Sequence, residues 1–141
     1  MTIIVTDNGF TREPASAPGL TLDEALAQAS TDAPNLWVDL EPDADPEALA
    51  PLLPHLTSIR IAFPSSADGR GFTIARRLRL MGFSGRLRAA GHVIADQYAL
   101  ARRAGFDEVE ISQDLASRQP EPMWVGPTSQ RAHDYQSRLR G

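Results

Sequence analysis

Between Ser58 and Ile111 the chain alternates short apolar strands with amphipathic helices, and this alternation constrains its fold more than any other feature. Ser58 to Phe63 (Ser-Ile-Arg-Ile-Ala-Phe) reads as a strand, and Pro64 to Gly71 as the loop after it. Phe72 to Met81 reads as a helix: Ile74, Ala75, Leu78 and Met81 share one face at 3.6-residue periodicity, and Gly82 stops it. Gly85 to Ala89 is the next strand. Ile94 to Ala104 is the next helix, with Ile94, Tyr98, Ala101 and Ala104 on one face and Gly105 at its end. Asp107 to Ile111 is the last strand. The segments around Ala75-Arg-Arg and Ala101-Arg-Arg, each followed by Gly-Phe, echo one another about 26 residues apart, the length of one strand–helix unit.

The flanks extend the pattern. Thr2 to Thr6 is a β-branched strand that can pair antiparallel at a sheet edge, closed by Asp7-Asn8-Gly9, with a loop from Pro14 to Gly19. Thr21-Leu-Asp-Glu24 is a capping box opening a short helix through Ala29, and Asn35 to Leu40 is another strand. Asp45-Pro46 supplies an N-cap and a first-turn proline to a helix that Pro51 and Pro54 keep short. The expected fold is α/β: a single three-layer domain over residues 1–119, with a mostly parallel sheet and a motif-rich core at 58–111. Residues 120–141 are expected to form a Pro-rich extended arm, since Pro120 to Pro127 is too proline-dense for regular helix, and then a polar terminal helix or frayed tail.

The chain contains no cysteine, which excludes disulfides, thiolate metal sites and cysteine nucleophiles. His55, His92 and His133 are too far apart to form a ligand pair, so no metal is expected. No apolar run approaches the ~20 residues of a membrane span, and the first residues lack a basic signal-peptide region. A cytoplasmic protein without membrane contact is expected. Charge is segregated: residues 1–59 hold ten acids and one arginine, whereas 60–105 hold nine arginines and two acids. Every basic residue is arginine, a type suited to bidentate recognition of carboxylate, phosphate or sulfate, although G·C-rich codon usage produces the same bias. The net charge of −4 and the few aromatics near the basic run disfavour nucleic acid.

In open parallel sheets ligands bind where strands hand over to helices. Three clusters fall at such points: Asp68-Gly-Arg-Gly71, Arg88 with Gly91-His92, and Asp96-Gln97. Glycines around Arg70 let backbone amides approach an anion, or simply shape a loop in which Asp68 pairs with Arg70. Arg88 ends its strand and must reach the rim or meet an acid such as Asp39, Asp68 or Asp96. Asp96 suits a helix first turn, and Gln97 has no evident capping role. The candidate anion site is therefore Asp68, Arg70, Arg88, His92, Asp96 and Gln97, with Arg70 and Arg88 expected on one rim. Ser65, Ser66, His92 and Asp96 can be combined into a triad only on paper. No cofactor is specified, and no G-x-G-x-x-G follows the first strand. The candidate partner surface is Arg76, Arg79, Arg102 and Trp124. The Trp124 arm either packs on its own sheet edge or docks on a second chain, giving a homodimer.

The runs Asp68 to Arg79, Gly82 to Gly91, Asp96-Gln97 and Arg103 to Asp107, with Tyr135-Gln136 near the end, resemble a bacterial family of unknown function. Its genes usually lie beside those of assimilatory sulfite reductase and phosphoadenylylsulfate reductase, and its members are commonly described as oxidoreductases of sulfite reduction. The resemblance covers most of the chain. It implies a role in sulfate assimilation, with sulfite reductase or its electron donor as partner, and carries over no catalytic residues. Three readings follow: an accessory protein of that pathway, a small anion-binding enzyme or sensor, and a flavin- or nucleotide-dependent oxidoreductase.

Overall fold

The computed structural model describes residues 2–13, 19–27 and 37–125. Its first element is a hairpin. Strand β1 (Thr2–Thr6) turns through Asp7-Asn8 into β2 (Gly9–Glu13), with Thr6 paired to Gly9. The returning strand starts on Gly9, whose φ of +113° lies in the left-handed region that glycine enters without steric cost. The turn was legible; the returning strand was not, because Gly-Phe-Thr-Arg-Glu has no β-branched alternation.

Helix α1 (Leu22–Ala27) begins with the expected capping box: Glu24 N–H donates to Thr21 Oγ1, and Thr21 N–H donates to Glu24 Oε1. Strand β3 (Trp37–Leu40) follows, then 3-10 turns at Pro46–Leu49 and Leu53–His55. The Asp45 carboxylate caps the first of these by accepting from Glu47 N–H. The crowding prolines thus leave single 3-10 turns where a short helix is expected. The alternation then runs as read: β4 (Ser58–Phe63), α2 (Arg70–Leu80), β5 (Arg86–Gly91), a 3-10 turn at Ala95–Gln97 leading into α3 (Tyr98–Ala104), and β6 (Glu108–Ser112).

The sheet is mixed, in the order β2-β1-β6-β5-β4-β3. Strands β3 to β6 are parallel neighbours, while β1 runs antiparallel to both β2 and β6. The expectation of a mostly parallel sheet is corrected here. A tight hairpin forces antiparallel pairing, and inserting its first strand beside β6 covers what would otherwise be an open parallel edge.

Strands β3, β4, β5 and β6 also lie side by side in chain order. Successive right-handed crossovers in one direction put their helices on the same face. Ala25, Leu49, Ile74, Ala75, Leu78, Ala101, Ala104 and Leu115 accordingly join a single core with Val38, Ile59, Ile61, Leu87, Val109 and Ile111. Among the described residues there is one helical layer, so the architecture is two layers rather than the expected three. An aromatic group of Phe63, Phe72 and Phe106 sits within that core, with Phe63 and Phe72 ring centroids 4.9 Å apart.

The end of the chain departs from the extended arm. Ser112 Oγ accepts from Leu115 N–H and starts α4 (Gln113–Arg118), and α5 spans Glu121–Val125. Pro120 and Pro122 are tolerated because the first turn of a helix needs no backbone donors from its own residues. The tail beyond Val125, including Tyr135-Gln136, lies outside the described residues. No described helix is long and apolar enough to cross a membrane.

Candidate functional site

The sheet face opposite the helices is charged. Pairing places Asp39, Arg60, Arg88 and Glu108 in one row across β3, β4, β5 and β6. Alternation along each strand puts their apolar neighbours in the core and these four on the other side. Acid, base, base, acid: each charge has an opposite charge on an adjacent strand.

The contacts are close. Arg60 grips Asp39 with two bonds, Nε to Oδ1 at 2.7 Å and Nη2 to Oδ2 at 3.0 Å. Glu110 Oε1 accepts from Arg88 Nη1 at 2.8 Å and from Arg60 Nη1 at 3.3 Å, reaching past the small Ala90. Arg88 Nη2 lies 3.4 Å from Glu108 and 3.5 Å from Glu13 of β2. The Trp37 ring stacks on this pair, its centroid 4.6 Å from the Arg88 guanidinium carbon and 5.8 Å from that of Arg60. Arg88 is only 2% exposed, and its Nε has no hydrogen-bond partner. Glu108 Oε1 is buried too, in ion-pair range of Arg86 and Arg88 but not aligned for a hydrogen bond. The bidentate bond to Asp39 holds the Arg60 pKa above its usual value, against the opposing effect of burial.

This network corrects the placement of Arg88. It lies mid-strand and is paired with Glu110, Glu108 and Glu13, none of the acids considered from sequence; Asp39 goes to Arg60 instead. Arg70 sits on the opposite side of the sheet, at the start of α2, where Asp68 holds it through Nε–Oδ1 and Nη2–Oδ2 bonds of 3.0 and 2.8 Å. A shared anion between Arg70 and Arg88 is therefore not formed. The bond from Arg70 keeps the Asp68 carboxyl below its ordinary pKa. The signal that could have found the network was present: Asp39, Arg60, Arg88 and Glu110 each interrupt an apolar run in one of four strands.

At the C-terminal rim of the parallel strands the remaining candidates have distinct tasks. Gln97 does cap: its Oε1 accepts from Ile94 N–H at 3.1 Å, while its Nε2 donates to Ser66 O at 2.6 Å. It thereby ties the loop after β5 to the loop after β4. His92 and Asp96 are exposed nearby, and the His92 N–H donates to Phe63 O. Beside this rim a shallow groove of about 400 Å³ runs between α2 and the loop after β3, lined by Pro42, Pro46, Arg70, Thr73 and Arg77. No group of three or more potential metal ligands occurs among the described residues.

The candidate partner residues divide. Arg79 turns back on the backbone, donating to the carbonyls of Phe83, Gly85 and Gly105 and to Asp107. Arg102 does the same one unit later, donating to Phe106 O and pairing with Asp7 in the β1–β2 turn. Both arginines donate to a phenylalanine carbonyl four residues on, just past the end of their helix. Trp124 is 1% exposed, edge-on to Tyr98, with its Nε1 donating to Gln119 O. It closes the domain's own end and presents no docking surface. Arg76 alone of the four is exposed.

No curated protein and no solved structure matches the chain. The family model described as "Bacterial protein of unknown function (DUF934)" matches residues 37–140, a span that includes all four parallel strands and the helices between them, and the chain belongs to that family.

Proposed function

We propose that the protein is an accessory factor of assimilatory sulfate and sulfite reduction that acts with sulfite reductase or its electron donor. The pathway rests on the motif resemblance between Asp68 and Asp107. The structural observation that favours a binding role is the helical layer: α2 and α3 contain six arginines and not one acid. Arg70, Arg77, Arg79 and Arg102 are matched to Asp68, Glu47, Asp107 and Asp7 of neighbouring segments, and Arg76 is exposed on the outer side of α2. A chain without cysteine supplies no thiolate for a cluster of its own, so the electrons of sulfite reduction would pass through another protein.

The test is a deletion strain grown on sulfate, sulfite or sulfide as sole sulfur source. Growth on sulfide alone supports the reading; normal growth on all three rejects it. The purified chain should show no sulfite-dependent oxidation of reduced pyridine nucleotide. A stoichiometric flavin in the purified protein would replace the accessory role with the oxidoreductase reading. The rim groove supports a second reading, an anion-binding enzyme or sensor, because Arg70 and Arg77 both line it. Saturable binding of sulfate or sulfite that is lost in Arg70→Ala would favour it.

A further inference from the structure

We infer that β2 is the contact edge for a second copy of this chain, the two β2 strands pairing antiparallel about a two-fold axis at Thr11.

Covering β6 with the hairpin moves the open edge of the sheet to β2, and no described strand lies on its outer side. The turn fixes where its backbone groups point. Thr6 and Gly9 close a two-residue loop as a hydrogen-bonded pair, and bonded and non-bonded pairs alternate from there. Gly9, Thr11 and Glu13 therefore bond to β1, whereas Phe10 and Arg12 turn their N–H and C=O groups outward. Natural edges are commonly blunted by a proline or a bulge. The stretch Gly9–Glu13 contains neither: its register with β1 is unbroken, and Pro14 comes only after the strand ends.

A two-fold axis at Thr11 sets Phe10 of one copy opposite Arg12 of the other. These are the two residues with outward groups, so each pair exchanges both of its backbone bonds, with Thr11 facing Thr11 as the non-bonded pair between them. Centring on Arg12 would instead oppose two arginines, and centring on Phe10 would leave Arg12 past the end of the other strand.

The side chains agree with this register. Phe10 pairs with Val5 and Arg12 with Ile3, both core residues, so Phe10 and Arg12 lie on the helix side of the sheet. An axis normal to the sheet keeps that side common to both copies. The exposed Arg12 then meets the half-buried Phe10 ring of the second copy as a cross-strand cation–π pair. Beside it, the Glu121 side chain of α5 occupies the space a Cβ on Gly9 would take, one residue from Phe10. Among the described residues neither Arg12 nor Glu121 has an ion-pair partner. The two-fold brings the unpaired arginine of each copy toward the unpaired glutamate of the other. A five-residue edge is a small contact, so the dimer forms and separates with concentration.

The experiment sediments the full-length chain from low micromolar to near-millimolar concentration and follows amide hydrogen exchange at both ends of that range. A monomer should give way to a dimer and to nothing larger. The Phe10 and Arg12 amides should be protected only in the dimer, and the Thr11 amide in both states. Arg12→Glu should weaken the dimer about tenfold or more, and Arg12→Glu/Glu121→Arg should regain most of that loss. Arg12→Pro, which deletes an outward donor where an edge strand tolerates proline, should abolish it. A dimer that survives both Arg12→Glu and Arg12→Pro overturns the inference, as does growth past the dimer. A monomer throughout with both amides unprotected also overturns it and leaves the edge to a strand of a different protein. A monomer with both amides already protected overturns it in favour of another segment of the same chain.

Discussion

The two faces of the sheet solve the same problem by opposite means. On the helix side, Val38, Ile59, Ile61, Leu87 and Val109 are fully buried against helices, and stability comes from excluded water and close packing. On the other side, Arg60, Arg88 and Glu108 are buried nearly as deeply, yet every one is ionisable. The difference teaches that strict alternation of apolar and charged residues does not make a strand half-exposed. Four strands with charges in register can bury them together, provided each cation meets a carboxylate. The two faces should therefore respond differently to truncation. An apolar loss leaves a cavity, whereas a charged loss leaves an unpaired partner.

Arg88 offers the harshest test. Arg88→Ala removes the closer of the two arginines at Glu110 and one of the two at buried Glu108, and should cost about 3–5 kcal/mol in denaturant unfolding. Arg88→Met with Glu110→Leu removes charge from both sides, and should recover most of that loss, since Arg60 keeps its bidentate bond to Asp39. If the single change costs less than about 1 kcal/mol, the charged face is solvated in practice and the contrast between the faces collapses.

The apolar face is probed by Gly71→Ala. A Cβ at Gly71 would lie 2.5 Å from the Phe63 ring, so α2 would have to lift from β4. The expected cost is about 1–3 kcal/mol, the usual range for overpacking. A neutral outcome would show that the Phe63–Phe72–Phe106 group can repack, and that this face is less rigid than its burial implies.

Tyr98 joins the helical layer to the hairpin turn, and it sharpens the comparison through pH. Its hydroxyl donates to Asp7 Oδ1 at 2.6 Å, and burial, aided by that bond, raises its pKa. Above about pH 10 the unfolded chain releases this proton and the folded chain retains it, so stability falls as pH rises. Tyr98→Phe should lower stability near neutrality by about 1 kcal/mol and flatten the alkaline decline. An alkaline limb unchanged in the variant would assign the decline to other groups.

How much of this was legible follows from where the forces act. The strand at 58–63 and the helix ends before Gly82 and Gly105 were readable because local periodicity and glycine stops coincide with tertiary packing there, whereas α2 starts at Arg70, inside the expected loop, and a 3-10 turn at Ala95–Gln97 precedes α3. The Thr21–Glu24 box and the Asp45 cap were readable because caps act within three residues. Strand β2 was not, since Gly9 to Glu13 adopts extended structure only through its pairing with β1. The Trp124 segment was misread because proline content suggested an extended chain, while burial against Tyr98 decides its shape. Most instructive is Arg88. Its strand was identified, but its face and its partners depend on strand order, which no local pattern carries.

The smallest effect is expected at Asp68 and Arg70, an ion pair at the rim whose arginine is well exposed. The paired carboxyl has a depressed pKa, so whatever it contributes is present above the usual carboxylate range and fades as pH falls below it. Asp68→Asn keeps the shape and deletes the charge. Water and salt screen an exposed pair of this kind, so any loss in the variant at pH 7 should be barely detectable, and it should vanish below about pH 4, where the wild-type carboxyl takes up its proton. Unfolding curves of the two proteins at pH 7 and pH 3 check this. A clear loss at pH 7 would place the rim beside the charged sheet face as a structural network. Coincidence at pH 7 keeps Arg70 and its groove as the part of the molecule whose charge is not required by the fold, and therefore the better place to look for a bound anion.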